Sequence, residues 1–300
     1  EMVRSDWSSD VCSSDLANRG EIAIRIMRTA KAMGIKSWAV LTAAEPNALY
    51  LEEADEVIDF SGGTYEIPPF LDVERLVEAA KSHNIDAIHP GYGFLAESAY
   101  FAQRCENSGI VFIGPSSEAI YRMGNKTIAR QIAIKHNISL LKGSTRSVSD
   151  AEIALQEGAK IGYPVIIKAA SGGGGKGMRI VRKPAEMEKM FRLATSEAEK
   201  AFNDATVFIE KYAENPRHIE FQILGDMHGN VIHLGERECS IQRKHQKLLE
   251  EAPSPALDDD LRQRMGEQAV AIARAVNYHS TGTVEFLLDD AGNFYFMEMN

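Results

Sequence analysis

Three observations predict an α/β protein made of two unlike halves. Up to about Pro115, amphipathic helical stretches alternate with short apolar strands, the pattern of a doubly wound parallel sheet. Beyond about Lys126, strands follow one another with turn signals between them, which predicts an α+β half with antiparallel pairing. That second half also holds VIIKAASGGGGKGM (Val165 to Met178), a β-branched strand running into four consecutive glycines. Three hundred residues suit roughly two domains of about 150 residues each.

Composition narrows the class of function. With 44% hydrophobic and 25% charged residues, the chain reads as an ordinary soluble globular protein. Its formal net charge of −10 argues against a nucleic-acid surface, so an anionic ligand must be held by local basic groups and backbone dipoles. The 3 cysteines, Cys12, Cys105 and Cys239, form neither a disulfide framework nor a metal knuckle, which points to a reducing, cytoplasmic setting. No apolar run approaches the roughly 20 residues that span a bilayer, so no membrane is expected.

Along the chain, residues 1–15 read EMVRSDWSSDVCSSD, with Ser-Asp repeated and no helical or strand period. They are expected to be a foreign or disordered leader, with organised sequence starting near Leu16. Asn18 is placed to cap a helix whose stripe is Ile22, Ile26, Ala30 and Met33, closed by Gly34. Ser37 to Leu41 reads as a buried strand, and Asp72 opens a helix through Val73, Leu76, Val77 and Ala80. Ile85 to Ile88 is a strand, Leu95 to Cys105 a helix, and Ile110 to Ile113 a strand. Gly91-Tyr92-Gly93-Phe94-Leu95-Ala96 imitates a dinucleotide fingerprint, but it stands alone, and no acidic residue is clearly placed for a ribose.

In the second half, a helix near Lys126 to His136 and another from Ala185 to about Phe202 flank the glycine loop. Strands are expected at Thr206 to Glu210, His218 to Leu224 and Val231 to Glu238, then a helix near Asp260 to Asn277. Four glycines in a row carry a large entropic cost and build no core. They make sense where backbone N–H groups must approach a polyphosphate; the alternative is a plain surface hairpin. The loop is not a P-loop, because Ala170 stands where that motif needs glycine and Gly177 follows Lys176.

The last two strands, Thr283 to Asp289 and Asn293 to Asn300, turn around Ala291-Gly292. That turn sets Glu285 directly opposite Glu298, a like-charge pair that destabilises a sheet unless something neutralises it. Asn300 shares their face. Two carboxylates and an amide oxygen suit a hard divalent cation bridging phosphates, most naturally Mg²⁺; a solvated outer face is the bland alternative. If Ser240 to Lys247 is extended, Arg243, His245 and Lys247 share one face while Gln242 and Lys244 point the other way. Basic groups converging there suit an anionic second substrate.

These blocks together resemble the biotin carboxylase component of biotin-dependent carboxylases, members of the ATP-grasp superfamily. The likeness rests on Ala17-Asn18-Arg19-Gly20-Glu21-Ile22-Ala23, His89 to Leu95, the glycine loop, Asn215 to Glu220, Ser240 to Lys247 and Phe296 to Asn300. It implies a Rossmann-like, pre-ATP-grasp domain at 16–123 and an ATP-grasp domain at 124–300, with a lid at about 141–213. It also implies ATP-dependent carboxylation of biotin by bicarbonate, through carboxyphosphate. By the same likeness Lys126 and Lys168 contact ATP phosphates, Gly173, Gly174 and Gly175 close over them, and Met178 lies in the same nucleotide site. Glu210 and Lys211 bracket the adenine, while His218, Gln242 and His245 line the nucleotide and biotin side. Lys247 holds bicarbonate, and Glu285, Glu298 and Asn300 hold Mg²⁺ or Mn²⁺. Implied partners are a biotin carboxyl carrier protein or domain, a carboxyltransferase component and, in the full-length protein, a second copy as a homodimer.

Glu250 to Pro255 is more similar to the acyl-CoA carboxylase branch, which includes acetyl-CoA carboxylase of fatty acid biosynthesis, than to pyruvate carboxylases. Two departures stand against the family pattern. The Ser-Asp leader replaces an opening apolar strand, so the first sheet is expected to be incomplete. The family's next arginine, glutamine and basic glutamate would follow Asn300, so the chain as given is expected to be an inactive fragment. Other readings are a different ATP-grasp ligase, such as a carbamoyl-phosphate or purine-pathway enzyme, or a non-catalytic nucleotide-binding module.

Overall fold

The structure is a computed structural model that describes residues 13–62, 66–170, 177–243 and 246–300. The chain divides into two compact units. One takes the residues up to Tyr121 with Gly225–Asn230 and Tyr278–Ser280, and the other takes Arg122–Leu224, Val231–Asn277 and Thr281–Asn300.

The first unit begins with β1 (Ser13–Leu16), α1 (Gly20–Ala32), β2 (Lys36–Thr42), α2 (Leu49–Glu53) and β3 (Glu56–Phe60). It continues through α3 (Val73–Ser82), β4 (Ala87–His89), α4 (Ala99–Asn107) and β5 (Val111–Phe112), from which α5 (Ser117–Gly124) leads out. The five strands run parallel in the order β3-β2-β1-β4-β5, the doubly wound arrangement expected. Neighbouring β2 residues serve opposite faces. Val40 packs into the cluster with Leu76, Ile88 and Phe101, and Ala39 into the one with Ala23, Met27 and Tyr50. Burial on both faces is what a parallel sheet with helices on each side requires.

Four expectations need correction here. The leader does not run to residue 15, because Ser13–Leu16 form the central strand, paired with both β2 and β4. The sheet is therefore not missing its first strand; residues 1–12 lie outside the described residues. Main-chain ladder bonds place β1 without apolar periodicity, and Asp86 Oδ2 accepts from both the amide and the hydroxyl of Ser13 at 2.9 Å. The same device recurs next door, where Asp55 Oδ2 accepts from the amide and hydroxyl of Ser37 at 2.8 Å. Asp86→Ala is expected to lower stability by about 1–2 kcal/mol, read by urea denaturation through Trp38 fluorescence. An unchanged midpoint would mean that these contacts do not anchor the strand.

The second correction concerns α1. Its buried residues are Ala23 and Met27, with Ile22 and Ile26 half-buried beside them and Met33 exposed, because the helix lies on the small Ala39 face of β2. Third, Asn18 is not the helix cap; that position falls to Arg19. Asn18 instead donates through Nδ2 to the carbonyls of Pro90 and Tyr92, both at 2.7 Å. A Cβ added at Gly91, where φ is +64°, would lie 2.6 Å from that Nδ2. The glycine that imitated a dinucleotide fingerprint thus serves close packing on Asn18. Fourth, the helix expected from Leu95 starts only at Ala99, where Ser98 caps it. The short α2 and β3 carry too few residues for a period to stand out, and sequence reading missed them.

The second unit holds α6 (Lys126–Lys135), α7 (Ala151–Ile161), β6 (Val165–Ala169), β7 (Arg179–Val181), α8 (Met187–Phe202) and β8 (Val207–Lys211). There follow β9 (Arg217–Gly225), β10 (Val231–Arg243), β11 (Gln246–Glu251), α9 (Asp259–Ala275), β12 (Ser280–Leu288) and β13 (Phe294–Met299). One sheet is the antiparallel β7-β6-β8, with Val165, Ile167, Val207 and Ile209 turned onto Met187, Phe191 and Ala194. The period of two therefore leaves Ile166, Lys168, Phe208 and Glu210 on the other face. The larger sheet runs β11-β10-β9-β12-β13. In β9, Ile219, Phe221 and Ile223 are buried; His218, Glu220 and Gln222 share the opposite face.

Candidate active site

Those two polar strand faces, with α6 and the β12–β13 hairpin, enclose a cleft of about 440 Å³ within the second unit. Lys126, Lys168, Met178, Glu210, Lys211, His218, Gln242, Lys247, Glu285 and Glu298 all line it, as do Arg130, Phe208, Ser240 and Phe296. Gly173, Gly174, Gly175 and His245 lie outside the described residues.

Asn125 caps α6 by accepting from the Ile128 amide, which brings Lys126 to the mouth of the helix. Its Nζ lies 3.7 Å from Glu298. Lys168 on β6 donates to Glu210 Oε2 at 2.6 Å, and Arg130 donates to Oε1 at 2.7 Å. The Glu210 carboxylate is thus committed to two cations. The Lys211 ammonium is also engaged, donating to the carbonyls of Gly162 and Tyr163 at 3.0 Å each.

A buried charge cluster also lines the cleft. Glu285 is 3% exposed, and its Oε2 lies 2.6 Å from His218 Nε2. Its Oε1 accepts from Lys247 Nζ at 2.7 Å and from Asn300 Nδ2 at 2.9 Å. Gln242 Nε2 donates to His218 Nδ1 at 2.7 Å and to the Cys239 carbonyl at 2.9 Å. With Nδ1 accepting, the imidazole carries its proton on Nε2 and donates to Glu285. Lys247 also donates to Glu220, whose other oxygen accepts from Arg237 Nε at 2.5 Å. Burial works against the Lys247 charge, but hydrogen bonds to Glu220 and Glu285 outweigh it and raise the ammonium above its ordinary value. Burial likewise pushes the Glu285 carboxyl up, yet contacts with His218 and Lys247 hold it below the usual range.

Glu285 pairs with Glu298 across β12 and β13 as expected, but by another route. The ladder from the turn pairs Leu288 with Phe294 and Phe286 with Phe296, and a register shift between Phe286 and Glu285 then brings Glu285 opposite Glu298. Lys247 and Lys126 meet these two carboxylates with positive charge. The Ser240 to Lys247 block is not one extended run. The chain reverses between Arg243 and Gln246, and Gln242 pairs with Lys247 across the β10–β11 ladder. The reversal resets the strand alternation, so these two line the cleft together instead of facing opposite ways.

Sequence reading gave no role to Arg130, Glu220 or Arg237. Glu220 had a legible signal, a carboxylate at the centre of a strand with alternating polar and apolar residues. Another group, Glu220, Cys239 and Glu250, has ligating atoms within 4.8 Å of one another. It is a poor metal site: Arg237 and Lys247 already engage Glu220, and burial pushes the Cys239 thiol up to about 12.

A three-stranded antiparallel sheet and a larger five-stranded sheet lining one lysine- and carboxylate-bearing cleft define an ATP-grasp protein. Residues 125–300 match the family of the carbamoyl-phosphate synthase L chain, ATP binding domain, and residues 15–120 match the biotin carboxylase, N-terminal domain. A biotin carboxylase of Nostoc sp. is 53% identical over 285 residues, 95% of this chain and 64% of that protein. The crystal structure of a biotin carboxylase–beta-gamma-ATP complex from Campylobacter jejuni matches with a TM-score of 0.93 and 46% identity, over 97% of this chain and 65% of that one. The biotin carboxylase domain dimer of Hydrogenobacter thermophilus 2-oxoglutarate carboxylase, in complex with MgADP, ADP and bicarbonate, matches with a TM-score of 0.91 and 45% identity, over 96% and 63%. The chain belongs to the biotin carboxylase family of ATP-grasp proteins. It spans a little under two thirds of the length of these relatives.

Proposed function

We propose that this chain carries the ATP- and bicarbonate-handling part of a biotin carboxylase. The overall reaction joins bicarbonate to the γ-phosphoryl group of ATP, releasing ADP, and the resulting carboxyphosphate carboxylates biotin on a carrier protein with release of inorganic phosphate. The observation that carries this reading is the Lys247 ammonium, fixed between Glu220 and Glu285 beside His218, in the cleft that also holds Lys126 and Lys168. A charged, immobilised ammonium suits a small anion such as bicarbonate, and two further lysines suit phosphate oxygens.

Lys126 and Lys168 bind and orient the phosphates, with Gly173, Gly174 and Gly175 covering them. Met178, Glu210 and Lys211 border the base, and Glu210 does so through its backbone since its carboxylate is engaged. His218 and Gln242 fix the position of Glu285, and the family likeness assigns His245 a role towards biotin. Glu285 and Glu298, with Asn300, fit a hard cation because they present paired oxygen donors whose present neighbours are cationic. Mg²⁺ or Mn²⁺ held there supplies charge neutralisation to the phosphates.

We place the protein in the acyl-CoA carboxylase branch, which includes acetyl-CoA carboxylase of fatty acid biosynthesis, on the strength of Glu250 to Pro255. Its partners are then a biotin carboxyl carrier, a carboxyltransferase and, in the full-length protein, a second copy. The buried cysteines Cys105 and Cys239 accord with a cytoplasmic setting, and no described helix is long and apolar enough to cross a membrane.

The test is ATP cleavage by the full-length protein with and without bicarbonate and biotin. Dependence on both is expected, and cleavage indifferent to bicarbonate would overturn the reading. For the metal, Mg²⁺·ATP is expected to raise the thermal midpoint more than ATP with chelator, by mass action on the native state. Glu298→Gln is expected to erase most of that difference, and an undiminished difference would remove Glu298 from the cation site.

A further inference from the structure

The Arg130 guanidinium faces the cleft, yet nothing in the proposed reaction uses it. It sits one helical turn beyond Lys126 on α6, so both side chains share a helix face. Its Nη1 donates to Glu210 Oε1 at 2.7 Å, and its Nη2 donates to the Leu141 carbonyl at 2.6 Å. The segment after Leu141 leaves room for it: a Cβ added at Gly143 would lie 2.8 Å from Arg130 Nη2 and 2.8 Å from the Ile209 carbonyl. The same segment runs against β8, with a bridge from Gly143 to Glu210 and a hydrogen bond from the Lys211 amide to the Lys142 carbonyl at 2.7 Å. The three side chains of the Arg130–Glu210–Lys168 triad are between 11% and 13% exposed. Arg130 Nε is buried and has no hydrogen-bond partner among the described residues.

Charge counting gives the arrangement a purpose. Lys168 and Glu210 alone would form a neutral, tightly closed pair at 2.6 Å, a weak anchor for phosphate. Arg130 takes one oxygen of that carboxylate, so two cationic side chains share a single negative charge. The triad keeps a formal excess of one positive charge in a largely buried setting, where a charge acts at higher strength than in water. We propose that Arg130 is a positioning residue that offsets Glu210 and so leaves the Lys168 ammonium available to the phosphates of an adenine nucleotide.

This inference rests on the nucleotide reading of the cleft, and the test separates the two. Calorimetry on the full-length protein compares ADP with adenosine for the wild type, Arg130→Gln and Arg130→Lys. Arg130→Gln is expected to weaken ADP by about tenfold or more while adenosine changes little, because only ADP carries the phosphate charge. Arg130→Lys, which restores the charge without the planar fork, is expected to recover most of the loss. Equal weakening of ADP and adenosine in both variants would reduce Arg130 to a structural pin for the Leu141–Gly143 segment and overturn the proposal. Unchanged ADP affinity in Arg130→Gln would overturn it as well. A wild type that binds neither ligand would sink the nucleotide reading and this inference with it. Thermal melts of each variant identify any that fails to fold, and the wild-type to Arg130→Lys comparison then stands alone: ADP and adenosine weakened alike would still refute the charge role.

Discussion

Replacing Lys247 by methionine in the full-length protein is expected to lower bicarbonate-dependent ATP cleavage by about a hundredfold or more while ADP binding is retained. A positioned cationic donor acting on developing negative charge is worth about that much. The structure gives the reason for the split between the two readouts. Lys247 is held by Glu220 and Glu285, beside Gln242, whereas Lys168 answers to Arg130 and Glu210 through contacts that Lys247 does not share. Methionine keeps much of the stem and removes the ammonium alone. Phosphate release with and without bicarbonate measures the loss, and calorimetry with ADP measures the retention. A variant that cleaves ATP at the wild-type rate would take Lys247 out of the bicarbonate site.

Glu285→Gln is expected to destabilise the protein by about 3 kcal/mol, since removing one partner of a buried ion pair leaves the others uncompensated. Glu285 accepts from Lys247 and Asn300 on one oxygen and from His218 on the other, so a glutamine would set an N–H₂ group against donors. For a unit of this size that is roughly 6–12 °C in the thermal midpoint.

The pH dependence has a definite sign. Burial pushes the Glu285 carboxyl up, but His218 and Lys247 outweigh it and hold the folded value below the unfolded one. Such a group adds stability above its unfolded value, about 4.3, and loses it as pH falls through the folded value. Lys247 is shifted the other way, upward, so its contribution is complete below about 10.4 and is lost only as pH rises through the still higher folded value. The gap between wild type and Glu285→Gln is therefore expected to stay constant from about pH 6 to pH 9 and to narrow below about pH 4. Denaturant midpoints across that range measure it. A gap that widens in acid would mean that His218 and Lys247 do not stabilise the carboxylate.

The amino-acid sequence by itself determined whatever depends on neighbours in the chain. Alternation of helical and apolar stretches settled a parallel sheet followed by an antiparallel half, because strand and helix periods are local properties. Ala291-Gly292 announced the last hairpin and the facing of Glu285 and Glu298, although a register shift beside Phe286, which no turn signal announces, is what completes that pairing. Two lysines of the cleft were legible in blocks that carry the family likeness, Lys168 beside the glycine loop and Lys247 at the end of the Ser240 to Lys247 block.

Only the tertiary structure decided which charges meet. Arg130 reaches Glu210 across 80 positions and Lys168 reaches it across 42, and no local period can announce either contact. The reversal between Arg243 and Gln246 put Gln242 beside Lys247, where an extended reading had set them on opposite faces. Ser13–Leu16 carries no strand signal, yet it forms a central strand because β2 and β4 offer main-chain partners on both sides. On α1, the small Ala39 face of β2 selected Ala23 and Met27 for full burial in place of the stripe of Ile22, Ile26, Ala30 and Met33 that the sequence suggested. The physical reason is common to all four: periodicity and turn chemistry are fixed within a few residues, whereas the partner of a buried charge, a backbone ladder or a helix face is fixed by what packing brings beside it.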